Sequence, residues 1–346
     1  MLACRRDLLE LARQIGSQFN ALSPTAKLPD EILSRVFMEV HAFPQNRPQK
    51  SRGYSESDDP PQLDPHWLHL AQVCRRWRAI ALQLSELWSD IQIISEEHIP
   101  FVKLQLERSG VRPLAIHAHV HSACWEQIIE TLIANAVLQR LATLQLTFRP
   151  SCGFEGHLVL GALVVTAPSL RRLSIINGRL EPEVGIKKQL FSGALPRLQD
   201  LTLYHLNNID WDWPPLTQQS LLHLRLRQTQ PVQNLPTLSQ LYEMLSKLPS
   251  TLITLELPDV KPSSTPLNLT HPIAFNHLQR LLTSGSASTA PDILRLIRVA
   301  PSTRLNVVCS LADDFDRELL TSSAPCPQLA LRSCAHANCS SQRTIL

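Results

Sequence analysis

Glycine is scarce in this chain, with 10 among 346 residues, and several kinds of chemistry are missing with it. Neither G-x-G-x-x-G nor G-x-x-x-x-G-K-[ST] occurs, so the loops that cradle a dinucleotide or a nucleotide phosphate are absent. The nucleophile turn G-x-S-x-G is absent too, and neither enzyme activity nor a cofactor is expected. The eight cysteines (4, 74, 124, 152, 309, 326, 334 and 339) include no C-x-x-C pair. That speaks against a redox motif or a zinc ribbon, and reads the thiols as reduced, small apolar fillers.

A strong charge of one sign is also lacking. A formal net charge of +3 is too small to argue for nucleic acid. The basic pairs Arg75–Arg76 and Arg171–Arg172 are scattered and read as solvated positions. Long hydrophobic runs are missing as well. The longest, Leu158 to Val165, falls far short of the roughly 20 residues that span a bilayer. The opening "MLACRRDLLELARQ" has no uninterrupted apolar core of the signal-peptide kind, and Asp7 and Glu10 argue against a transit peptide. A soluble protein with no membrane contact is expected, located in the cytoplasm, the nucleus or both.

What the chain has is leucine: 60 residues, about one in six. Its length allows more than one domain and a sizeable core. Leu8, Leu11, Ile15, Phe19 and Leu22 recur at spacings of three and four, which predicts a helix over 5–22 ended by Ser23-Pro24. A second helix opens at Pro29 and carries Ile32, Leu33, Val36, Phe37 and Val40 as a stripe about two residues wide. Residues 43–65 hold five prolines and almost nothing apolar, which predicts a flexible insertion. Trp67, Leu70, Ala71, Cys74, Trp77 and Ala81 then predict one further helix, with Arg75, Arg76 and Arg78 on its wet side. Three short helices cannot bury that many large apolar groups among themselves, so a partner or a neighbouring domain is implied.

From about residue 110 the pattern becomes a repeated L-x-x-L-x-L. Copies begin at Leu141, Leu170, Leu198, Leu221 and Leu252, with a degenerate one at Leu278. Their spacing predicts an irregular leucine-rich solenoid of short parallel strands and helices, although the asparagine usual in such repeats is absent. In that arrangement Leu173, Leu201, Leu224 and Leu255 share one buried row, and Arg172, Asp200, His223 and Thr254 face outward. The fold class expected is therefore α+β, a helical unit followed by a solenoid. The boundaries are a leading helix over 1–25, the helical unit over 26–95, the leucine-rich region over 96–325 and a disordered tail over 326–346.

Three polar or aromatic clusters have the residue types of sites. His117, His119 and His121 alternate along a predicted strand near Cys124 and read better as its solvated face than as a metal site. Cys326, Cys334, His336 and Cys339 fit no zinc spacing. Trp211 and Trp213, in "NNIDWDWPP", are candidate anchors for a target protein.

The stretch "LPDEILSRVF" followed by "LAQVCRRWRAIALQLSELWSDI" resembles an F-box, in the variety common in proteins of mushroom-forming fungi. The resemblance covers roughly Lys27 to Ile93, interrupted by the polar insertion. It implies docking onto a Skp-type linker and, through that, onto the cullin of an SCF ubiquitin ligase, with the leucine-rich region holding the target. It also implies that Leu28, Pro29, Ile32, Leu33 and Val36 form one docking edge, and that Val73, Cys74 and Trp77 lie in or beside a second. The rival expectation is a leucine-rich interaction scaffold whose F-box-like helices only cap the first repeat.

Overall fold

A computed structural model describes residues 2–46, 66–120, 124–148, 155–178, 184–206, 208–227, 235–258, 260, 271–286, 289–310 and 342–345. The chain divides into two compact units, Met1–Ile116 and His117–Leu346. The strand Asp90–Ile93 and the helix after it lie in the first of these units.

The first unit opens with α1, Leu2–Leu22, which starts earlier than the spacing predicted. Its apolar stripe lies in the open: Leu8, Leu11, Ile15, Phe19 and Leu22 are 51–80% exposed. The next helix, α2, runs from Asp30 to Asn46, and Asp30 and Glu31 in its first turn suit the positive end of the helix dipole. Here the wide stripe resolves into two faces. Leu33 and Phe37, four residues apart, are fully buried, while Ile32 and Val36 stay about 40% exposed. Apolar residues on two sides of α2 thus serve two surroundings, a core and an open surface.

Beyond the insertion, whose residues 47–65 lie outside the described structure, the sequence reading predicts one helix, and the structure breaks it. A 3-10 turn, His66–His69, leads into the short α3, Leu70–Val73, and α4 starts afresh at Arg75 and ends at Gln83. The break is Cys74, whose backbone is extended (φ −157°, ψ 170°) and whose Sγ accepts from the Trp77 amide at 3.5 Å. Periodicity continues across that residue because the helices on either side present apolar faces to the same core. Side-chain spacing registers the shared core and is blind to the backbone between. After the Ser85–Trp88 turn come the strand Asp90–Ile93 and α5, Ile99–Arg108.

The core of this unit is Leu33, Phe37, Trp67, Ile80, Ala81, Leu87 and Trp88. Trp67 meets Trp88 edge-on at 4.8 Å between ring centres, and the Trp88 indole N–H donates to the Ala81 carbonyl at 3.0 Å. A buried indole with its donor satisfied keeps its packing energy undiminished.

The second unit is built on parallel strands. Leu141–Phe148, Arg172–Asn177, Asp200–Tyr204, His223–Arg227, Thr254–Leu257, Arg280–Ser286 and Arg304–Ser310 lie side by side in chain order, each parallel to the next. Gln342–Ile345 closes that edge antiparallel. The register aligns Leu144, Leu173, Leu201, Leu224, Leu255 and Leu281 in one row, and all are buried. Four of the copies also enter their strands by the same turn. The amides of Leu170, Leu198, Leu221 and Leu252 donate to carbonyls three residues back, on Ala167, Leu195, Gln218 and Pro249. Between strands the chain returns through helices such as Trp125–Ile133 and Leu238–Ser246, the latter opened by a Thr237/Gln240 capping box.

The opposite face of the strands departs from expectation at one place. Arg172 is exposed and Asp200 and His223 are half-buried, but Thr254 is buried at 5% and Glu256 at 9%. Glu256 is accommodated there because Tyr204 Oη donates to it at 3.1 Å and Arg225 Nε stands 3.9 Å away. Burial, and then the Glu256 carboxylate, raise the pKa of the Tyr204 phenol.

Candidate functional site

Two surfaces carry the residues singled out by sequence, one in each unit. In the first, Pro29, Ile32 and Val36 sit at helical spacings along the exposed side of α2, with Leu28 half-buried at its entry. Leu33 is 1% exposed and belongs to the core beneath them. Val73, 53% exposed at the end of α3, lines a groove of about 570 Å³ together with Cys74 and Trp77. Arg13, Gly16, Ser17 and Asn20 of α1 form the facing wall, so α1 turns its polar and small residues toward the groove and its apolar stripe away. Trp77 is tied into the unit by its ring contact with Phe37, 5.1 Å between centres, so it packs as well as lines the groove.

One residue of this site does more than sit on the wet side of its helix. Arg76 is only partly solvated. Its guanidinium donates to the Ala26 carbonyl at 2.7 Å, to the Leu28 carbonyl at 2.5 Å and to Asp30 Oδ1 at 2.8 and 2.6 Å. Leu28, Pro29 and the first turn of α2 are therefore positioned by a side chain from the far side of the insertion. Nothing in the sequence singles it out, because the carbonyls it meets lie 48 and 50 residues earlier.

The second surface is a cavity of about 540 Å³ in the sheet unit. The two tryptophans separate here. Trp213 is 1% exposed, and its indole N–H donates to the Leu190 carbonyl at 3.2 Å, so it is structural. Trp211 is half-buried and forms part of the cavity wall, with Asp210, Asp212 and Lys187 around it. Leu190 itself belongs to a tight turn in which Phe191 and Ser192 take left-handed backbone angles (φ 53° and 54°) before Gly193 (φ 67°). Side-chain-bearing residues hold that conformation only when the surroundings enforce it, and the fully buried Phe191 ring is the enforcement. Trp213 thus rests on a fixed turn.

The histidine row is accounted for by the strand Leu114–Val120, in which Leu114, Ile116, Ala118 and Val120 are buried and His117 and His119 half-buried. His117 Nδ1 lies 3.2 Å from Gln145 Oε1. Among the described residues no three His, Cys, Asp or Glu side chains are grouped as metal ligands, and no helix is long and apolar enough to cross a membrane. His121, Cys326, Cys334, His336 and Cys339 lie outside the described residues.

The first unit thus combines a buried aromatic core, an exposed apolar helix edge and an adjoining groove. Residues 25–93 match the family model for F-box-like domains, which supports reading the chain as an F-box protein. No curated protein matches the chain.

Proposed function

We propose that this protein is a non-catalytic, substrate-recognition adaptor of an SCF-type ubiquitin ligase. The observation that carries the reading is the division of α2. Within a stretch that matches an F-box, Leu33 and Phe37 fill the core while Pro29, Ile32 and Val36 are left open. On this reading the open edge docks on a Skp-type linker and through it reaches a cullin. Leu28 flanks the edge, Val73, Cys74 and Trp77 extend it, and Leu33 shapes it from within. The row of leucines supports treating the second unit as an irregular leucine-rich repeat array that holds a target protein, with Trp211 as the accessible anchor and Trp213 as its support. The adaptor then acts through effective concentration and orientation, and makes or breaks no bond itself.

Coexpression with a Skp-type linker tests this. Ile32→Ala with Val36→Ala should weaken linker binding by about 2 kcal/mol or more, some 30-fold, and leave the melting temperature nearly unchanged. Leu33→Ala should instead destabilise the unit by about 2–5 kcal/mol. Undiminished linker binding by the double variant would favour the rival reading, a leucine-rich interaction scaffold outside any ligase.

A further inference from the structure

We propose that the cavity at Trp211 is a recognition site for an arginine side chain carried on an extended segment of a target protein. The proposal rests on the reading of the second unit as the target-holding part, and supplies the chemistry of what is held. The cavity volume of about 540 Å³ falls within the ordinary range of ligand pockets. Its wall combines an indole with carboxylates, which is the environment a cation seeks: the ring face attracts it electrostatically and the carboxylates pair with it.

The charges around the cavity decide the sign. Asp210, Asp212, Glu243, Lys187 and Lys247 all line it. Glu243 and Lys247, one helical turn apart, neutralise each other at 2.7 Å. That hydrogen-bonded pair lowers the pKa of the Glu243 carboxyl and raises that of the Lys247 ammonium. The Asp212 carboxylate also favours the charged Lys247, and over the whole cavity three carboxylates stand against two ammonium groups. Asp210 is half-buried, and its Oδ1 already accepts from the Asp212 amide at 3.1 Å, leaving its other oxygen for a ligand. Asp212 is exposed at the rim. The site therefore offers net negative charge beside the Trp211 indole. Arginine suits it better than lysine, because guanidinium stays charged when partly desolvated, is weakly hydrated, stacks on aromatic rings and pairs with carboxylates in a planar fork. The floor, which includes Ile209 and Met244, accepts the methylene stem.

Calorimetric titration of the full chain, with no linker present, tests the site. The probes are acetyl-Gly-Gly-Arg-Gly-Gly-amide and its counterparts with citrulline or glutamate at the centre. The arginine peptide should bind at least tenfold more tightly than the citrulline peptide, and added salt should weaken it. Trp211→Leu and Asp212→Asn should each cost fivefold or more. Because Asp212 is exposed, Asp212→Asn cannot act by disturbing packing, and it remains decisive if the tryptophan variant folds poorly. Equal binding of arginine and citrulline peptides, preference for glutamate, or unchanged binding by Asp212→Asn would overturn the assignment. None of these results bears on linker docking, which the Ile32/Val36 variant reports separately.

Discussion

Arg76 and Asp30 are 46 residues apart in sequence, yet Nε and Nη2 of the arginine lie 2.8 and 2.6 Å from the same carboxylate oxygen. The guanidinium also takes the carbonyls of Ala26 and Leu28, so it sews the entry of α2 to the start of α4. Its two roles are unequal. The ion pair is largely exposed, 38% on the arginine and 62% on the aspartate side, and such pairs contribute about 0–1 kcal/mol. The bonds to part-buried carbonyls are worth more, since losing the arginine strands two acceptors. Arg76→Ala should therefore lower the stability of the helical unit by about 1.5–3 kcal/mol, and Asp30→Asn by under about 1 kcal/mol. Denaturant titration followed by tryptophan fluorescence separates them. Equal effects would mean the carboxylate, not the backbone, is the partner that matters.

The same stitch makes a statement about the insertion. If Arg76 and the Trp67–Trp88 contact hold the two halves together, residues 47–65 should be replaceable by a short Gly-Ser linker. Loop closure changes by only about 0.6 kcal/mol for each halving of length. The shortened protein should keep its melting temperature within a few degrees and its linker binding unchanged. An unfolded helical unit would show that the insertion is structural.

Acid should destabilise the first unit through His41. Burial lowers its pKa below the ordinary value of 6.5, and Asp90, whose Oδ2 is 3.9 Å away, only partly raises it back. A folded pKa below the unfolded one means that the unfolded chain binds the proton more readily. The contribution of neutral His41 is thus fully present above pH 6.5 and is lost as pH falls through the lower, folded value. In His41→Gln that part of the pH dependence should disappear. Denaturation midpoints measured from pH 7.5 downward check it, and identical slopes in the two proteins would contradict it.

For the sheet unit, Leu201→Ala should cost about 2–5 kcal/mol, because its row is shared with Leu173 on one side and Leu224 on the other. Hydrogen exchange should then rise in all three strands together, since none can repack alone. Arg172→Ala, one residue from Leu173 but exposed, should change stability by no more than about 0.5 kcal/mol. Loosening confined to the mutated strand would argue against a continuous core.

Much of this protein is written in short-range pattern. The spacing of Leu173, Leu201, Leu224 and Leu255 is enough to predict one row, because a strand shows alternate residues to one side and the repeat length brings equivalent positions into register. The opening "LPDEIL" and the "VCRRWR" block locate the F-box-like stretch for a similar reason, since docking faces are built from near neighbours on helices.

What the pattern could not decide were matters settled by residues far apart in the chain. Which half of the α2 stripe is core depends on Trp67, Trp88 and their neighbours arriving from beyond the insertion. Whether Arg76 is solvated depends on carbonyls 48 and 50 residues earlier. Trp211 and Trp213 are two residues apart and share Asp212 as a neighbour, and only the Leu190 carbonyl and the enforced turn behind it make one structural and leave the other at the cavity wall. Hydrophobic periodicity records that a side chain will leave water. Which groups meet it there, and whether a polar atom finds a partner, is fixed only when distant segments close on one another.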